Sequence, residues 1–289
     1  MKCLNLGCGS RFHPDWTNID FVSTGEGVIA HNLTQGIPLP DSSFDVVYHS
    51  HVLEHFSKTA AIDFLQECYR VLKPEGVLRV AVPDLEQITK TYLIALDKAS
   101  QQEKNWQENY DWILLEMYDQ TVRNFSGGEM RKFFCRDNIT NQDFLWQRCG
   151  IEAKKLIELG QKLNKQSNSI PQPTFKQNMR EIYRLFRFPG NLKELCLKML
   201  LGEKDYQNLQ IGRFRQSGEI HQWMYDRYSL SKILQQCGFQ AIVQRSATES
   251  YIKDWSSFNL DTEPDGKLYK PDSLYMEGLK KAGKSITHR

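Results

Sequence analysis

Leu4-Asn5-Leu6-Gly7-Cys8-Gly9-Ser10 is the stretch that decides the fold. A short apolar run that turns at once into Gly-x-Gly reads as a strand ending in a tight turn. Backbone without a Cβ can approach a ligand closely there. Lys2 to Leu6 is therefore the first strand. Working outward, Asn18-Ile19-Asp20-Phe21 reads as the end of a second strand and Val28-Ile29-Ala30 as a third. Phe44 to Tyr48 is a fourth, rich in β-forming residues. Residues 57–72 carry Ala61, Phe64, Leu65, Cys68, Val71 and Leu72 at helical spacing. Lys73-Pro74-Glu75-Gly76 is expected to stop that helix, and Val77 to Val82 to form a fifth strand closed by Pro83-Asp84. Strands alternating with helices over short connections predict a parallel sheet.

The pattern changes after Asp84. Strand signals do not return until Phe239 to Gln244, an interval far longer than the ~12–15 residues of an ordinary loop. Trp106, Tyr110, Leu114, Met117 and Thr121 follow helical spacing, and Cys149, Leu156, Leu159 and Leu163 do so more loosely. Residues 175–201 read as helical with a break at Pro189-Gly190, and Ser229 to Gln236 as a further helix. Ser273 to Glu277 reads as a last strand, placed antiparallel against the sheet after the turn at Pro264-Asp265-Gly266. The organisation expected is a core of 1–92 and 219–289 with a helical insertion or cap over 93–218.

Composition excludes several classes. Lys and Arg total 37 against 35 Asp and Glu, a net charge of +2. That gives no overall electrostatic drive toward nucleic acid. The seven cysteines contain no C-x-x-C pair, which argues against a disulfide scaffold and a thiolate zinc site. No signal-type apolar segment and no run of ~18 apolar residues is present. Reduced thiols and these absences predict a cytoplasmic protein.

The polar residues after successive strands carry the chemistry. Asp20 ends the second strand, where a carboxylate can accept from both hydroxyls of a ribose. Asn32 follows the third, where its amide can meet an adenine edge. The fourth strand runs into His49-Ser50-His51-Val52-Leu53-Glu54-His55. Side chains at the carboxyl ends of neighbouring parallel strands face one crevice. A dinucleotide fingerprint does not fit, because Phe12 stands where the third glycine belongs and the acid arrives too early. His51 to His55 also matches H-x-x-E-H, an inverted zinc-protease string. That reading requires both histidines on one helix face, whereas His51 is expected in the loop after the strand. No metal is expected, and Glu54 and His55 are read as capping the next helix. His51 is read as a catalytic residue able to take a proton from an acceptor hydroxyl, and His221 as a second candidate arriving from the return segment. Trp223, Tyr225 and Tyr228 either wall an acceptor site or pack.

These motifs carry a resemblance. Leu-Asn-Leu-Gly-Cys-Gly-Ser, Asn-Ile-Asp, His-Asn-Leu, Pro-Leu-Pro-Asp-Ser-Ser-Phe-Asp and Ser-His-Val-Leu-Glu-His resemble the class I S-adenosylmethionine-dependent methyltransferases, in particular the methyltransferase type 11-like subgroup. Glu219 to Asp226 and Lys270-Pro271-Asp272-Ser273-Leu274 resemble it too. The likeness covers 1–92 and 219–289 well and the middle in patches. It implies a Rossmann-like, seven-stranded, mostly parallel sheet with one antiparallel strand. It also implies S-adenosyl-L-methionine as cofactor, held by Gly7, Cys8, Gly9, Asp20, Asn32, Leu33 and Ser50. Two positions depart from the pattern: Arg11 stands where a longer glycine motif would continue, and Asn32 where family members often carry Asp.

The function expected is methyl transfer to a small-molecule or glycan acceptor, with a sugar or glycolipid precursor suggested by the resemblance. A non-catalytic nucleoside-binding module on the same fold is the alternative. Residues 175–201 combine Lys176, Arg180, Arg184, Arg187, Lys193 and Lys198 with an apolar face. Such a helix either makes weak peripheral contact with an anionic membrane or packs on the cap with its basic face solvated.

Overall fold

The computed structural model describes residues 1–167 and 189–282. Seven strands form one sheet: β1 (Cys3–Leu6), β2 (Thr17–Asp20), β3 (Val28–Ala30), β4 (Phe44–Ser50), β5 (Leu72–Pro83), β6 (Gln240–Arg245) and β7 (Ser273–Leu279). Their order is β3-β2-β1-β4-β5-β7-β6. The first five pair in parallel, and β7 runs antiparallel to both β5 and β6. The mostly parallel, Rossmann-like sheet with an antiparallel strand is as expected.

Helix α1 (Lys58–Val71) begins at Ser57, whose hydroxyl accepts from the Ala60 amide. Ala61, Phe64, Leu65, Cys68 and Val71 are its buried face and meet Leu4, Leu6, Val47 and Val80 of the sheet. The helix passes straight into β5 at Leu72, five residues earlier than the strand expected from Val77. Lys73 to Gly76 is absorbed as a strand irregularity instead of a turn. Glu75 adopts a positive φ of 65°, and Glu75 and Gly76 exchange backbone hydrogen bonds with Lys280.

Between β5 and the return of the sheet lie α2 (Leu85–Ser100), α3 (Trp106–Val122), α4 (Gly128–Phe134), α5 (Gln142–Ser167) and α6 (Pro189–Arg215). The first of them starts at Leu85, inside the segment assigned to the core. Helix α3 half-buries the stripe read from its sequence, with Trp106, Tyr110 and Met117 packed against Ile88, Ala95 and Ile113. Its buried positions are Asn109, Trp112, Ile113, Glu116 and Asp119. Polar residues can occupy that face because they are paired: Glu116 with Arg148, and Asp119 with the amides of Glu129 and Met130 at the start of α4. Helix α5 likewise buries Leu145, Ala153 and Ile157, while Leu156 and Leu159 face outward; Gly150 breaks it at φ 64°. Residues 175–188 of the expected basic helix lie outside the described residues. In α6, Met199 and Leu200 are exposed and Lys198 pairs with Glu203. Helix α7 (Arg227–Gln236) then leads into β6. Among the described residues no helix is long and apolar enough to cross a membrane.

Candidate active site

The glycine turn after β1 is held by hydrogen bonds on both sides. The Gly7 amide donates to the Ile19 carbonyl at 2.8 Å, and the Gly9 amide to Asp20 Oδ2 at 2.7 Å. Both glycines have positive φ, 62° and 54°. A Cβ on Gly7 would lie 2.3 Å from a Val52 methyl, whereas a Cβ on Gly9 would meet open space. Gly7 is thus required by the fold, and Gly9 presents bare backbone to the crevice.

That crevice is a hollow of about 270 Å3 at the carboxyl end of the sheet. Gly7, Cys8, Gly9, Tyr48, Ser50 and His51 line it from the sheet side. Arg11, Glu152, Tyr269 and Lys270 line it from the loops and α5. Of the residues predicted to hold cofactor, Asp20, Asn32 and Leu33 do not line this hollow. Asp20 shapes it through the Gly9 amide. Asn32 caps the short turn Leu33–Gln35, its Oδ1 accepting from the Thr34 amide at 3.0 Å and the Thr34 hydroxyl at 2.8 Å. Leu33 packs against the main core. Cys8 is buried, and burial, helped by the nearby Asp20 charge, pushes its thiol up to about 11.

His51 sits where this hollow meets a second one of about 150 Å3. The two share His51, Glu152 and Lys270. The second hollow runs beneath α3, α4 and α5 along Trp112, Glu116, Met130, Phe134 and Asp272. His51 itself has a positive φ of 54°, uncommon for a residue with a Cβ. Its amide is fixed to the Ala81 carbonyl at 2.9 Å. Its Nε2 lies 2.8 Å from Ser273 Oγ and its Nδ1 3.3 Å from Glu54 Oε1.

Glu54 has no solvent exposure. Burial opposes its ionisation, but the facing His51, His221 and His55 rings outweigh that and hold the carboxyl down at about 2. His221, the other predicted catalytic histidine, lines neither hollow. It is buried behind Glu54, its ring against that of His55 with centroids 4.9 Å apart. Burial pushes its imidazole down to about 3. Glu54 and His55 do not cap α1, since Ser57 does that; His55 Nδ1 instead lies 3.0 Å from the Ile220 carbonyl. Trp223, Tyr225 and Tyr228 line a separate hollow of about 410 Å3 against Lys58 and Ile62.

Several residues at the site were not read from the sequence. Arg11 reaches across to the tail, donating to Glu263 Oε1 at 2.8 Å and to the carbonyls of Asn259, Leu260 and Thr262, and it stacks 3.8 Å over Tyr269. Its departure from the glycine pattern is therefore an anchor that brings Tyr269 and Lys270 over the crevice. Burial disfavours the Lys270 ammonium, but Glu152 and Asp272 more than offset that and raise its pKa. Glu152 lies in the poorly patterned middle, and only its pairing with Lys270 marks it.

A sheet of this order with a glycine turn at its crevice defines a Rossmann-like α/β domain. Residues 4–80 match the family model described as a methyltransferase domain. A probable S-adenosylmethionine-dependent methyltransferase of Mycolicibacterium smegmatis is 45% identical over 56 residues, which are 19% of this chain and 21% of that protein. Another, from Mycobacterium tuberculosis, is 33% identical over 99 residues, 28% of this chain and 35% of that protein. The chain thus spans between a fifth and about a third of these relatives. A solved SAM-dependent methyltransferase from Archaeoglobus fulgidus is 12% identical with a TM-score of 0.38, over 96% of this chain and 86% of that one.

Proposed function

We propose that the chain is an S-adenosylmethionine-dependent methyltransferase whose acceptor enters through the second hollow and meets His51. The observation that carries this reading is the position of His51 at the junction of the two hollows, with the glycine turn on one side and the insertion helices on the other. The match of residues 4–80 to a methyltransferase domain supports the cofactor assignment. The residues fit that cofactor: open backbone at Gly9, a turn locked by Asp20, and a polar hollow of nucleoside scale.

The sulfonium of the bound cofactor supplies an electrophilic methyl group. The chain has to present the nucleophile in line with it and keep water away. Gly7 and Gly9 hold the amino-acid part with backbone groups. Asp20 keeps the turn in place and offers its remaining carboxylate oxygen to the ribose. His51 Nε2 exchanges its Ser273 partner for the acceptor hydroxyl, accepts that hydrogen bond, and aims the oxygen. Glu54 fixes the ring from the other side. Trp112, Met130 and Phe134 cover the apolar wall of the acceptor hollow, while Glu116, Glu152, Lys270 and Asp272 give it a polar rim. A polyhydroxylated acceptor with an apolar portion, such as a sugar–lipid precursor, suits that mixture.

Turnover decides between this and the non-catalytic binding module. Purified chain is incubated with methyl-labelled cofactor and panels of sugar and glycolipid acceptors. Label transfer that falls about 100-fold in His51→Ala, in line with loss of a group acting on the reacting atoms, supports the reading. Cofactor binding without transfer to any acceptor supports the module.

A further inference from the structure

We propose that Glu54, His55 and His221 hold one divalent transition-metal ion of the zinc kind, behind the proposed reacting centre. The starting point is a polar cluster that is buried and incomplete. Neither oxygen of the fully buried Glu54 carboxylate has a hydrogen bond, and Nδ1 of the buried His221 has none. Among the described residues no lysine or arginine is ion-paired with Glu54; its ion pairs are with His51 at 3.3 Å and His221 at 4.0 Å. A carboxylate taken out of water with no lysine or arginine beside it and only histidine rings facing it, the nearest at 3.3 Å, is costly, and a coordinated metal is one standard compensation.

The donor set points to the same answer. One ligand atom from each of Glu54, His55 and His221 lies within 4.8 Å of the other two. His55 Nδ1 is committed to the Ile220 carbonyl at 3.0 Å, which makes it the N–H and leaves Nε2 with a free lone pair. A backbone carbonyl on the far nitrogen is the usual orienting partner of a metal-bound histidine. Two imidazoles and a carboxylate suit zinc and its neighbours far better than magnesium or calcium. Zinc–ligand distances of about 2.0–2.2 Å require the groups to close by roughly an ångström. A second trio, Glu116, Cys149 and Asp272, is as compact but already spent, since Glu116 accepts from Arg148 at both oxygens and from the Trp112 indole N–H.

In the sequence, a divalent ion on Glu54 and His55 is weighed against capping and set aside, because the third donor comes from the return segment. That segment is already tied here, with the Gln222 and Trp223 amides donating to the Glu54 carbonyl. A metal would lock this strap to the loop after β4 and hold Glu54 beside His51.

The test uses the full chain, stripped with chelator and titrated with Zn2+ alone. Expected are about one bound zinc per chain, a raised melting temperature, and visible absorption when Co2+ replaces it. His221→Ala and, separately, Glu54→Gln should weaken uptake at least 100-fold, beyond the ~10–100-fold typical of residues behind the ligands. Wild-type chain that takes up no stoichiometric Zn2+ and gives no Co2+ band overturns the proposal, whatever the variants do. Uptake unchanged in folded His221→Ala, checked by circular dichroism, overturns it as well. Neither readout depends on methyl transfer.

Discussion

Lys270 Nζ lies 3.0 Å from Glu152 Oε2, joining the C-terminal tail to α5 across the junction of the two hollows. The pair spans elements far apart in the chain, and Arg11 braces the tail side by its stack on Tyr269. Both partners keep some exposure, 20% and 36%, so the bond contributes little to stability, below about 1 kcal/mol. Its effect is positional. Lys270→Met should leave the melting temperature within a few degrees of wild type and lower kcat/KM about tenfold, equal to ~1.4 kcal/mol of transition-state binding. A melting curve beside a methyl-transfer assay checks both parts.

Gly7 and Gly9 should respond differently to the same substitution. Gly7→Ala places a Cβ 2.3 Å from Val52 at a positive φ, so the fold suffers by about 1–3 kcal/mol. Gly9→Ala meets open space, so its cost to the fold stays near the ~1 kcal/mol of a positive φ, while the new methyl blocks the crevice. Urea melts with S-adenosylhomocysteine calorimetry separate the two: Gly7→Ala should shift the melt more, Gly9→Ala the affinity more.

The sheet was legible because its signals are local. Leu4 to Gly9, Thr17 to Asp20 and Phe44 to Ser50 each carry strand and turn chemistry within a few residues. The insertion was less legible because its helices bury polar groups that only a partner makes affordable. Glu116 reads as a surface residue until Arg148 is known to face it. The same holds at the site. His51 and the glycines are placed by the strands before them, but Glu152, Lys270 and the anchoring role of Arg11 depend on contacts between distant segments. Asn32 shows the ambiguity of motif position, since a side chain after a strand can meet a ligand or cap the following turn, and here it caps the turn.

Arg79 is fully buried between Asp261 and Glu277, 2.8 Å and 2.9 Å away, and lies 4.5 Å from the Trp255 ring centroid. It ties β5 to β7 and to the loop that Arg11 grips. Arg79→Met leaves the buried Asp261 without its cation and Glu277 with only Arg245 at 3.4 Å, and should destabilise by about 3–5 kcal/mol. Equilibrium denaturation checks it; a loss under 1 kcal/mol would mean that water replaces the guanidinium.

Cys8 should be slow toward alkylating reagents although it lines the crevice. With its thiol at about 11, only about one molecule in a thousand carries the reactive thiolate at pH 8. Burial has raised an acid's pKa, so the neutral form persists and the rate climbs about tenfold per pH unit toward that value. Mass spectrometry after timed iodoacetamide labelling should show the exposed Cys196 modified well before Cys8.

The most direct test of the account is calorimetric titration of the full chain with S-adenosylmethionine, repeated with Asp20→Ala. Asp20 both locks the Gly9 amide at 2.7 Å and is assigned to the ribose. The account predicts one-to-one binding, weakened in the variant by roughly 1.5–3 kcal/mol, about 10- to 150-fold. No binding to the wild-type chain, or equal affinity in a folded Asp20→Ala, would contradict it.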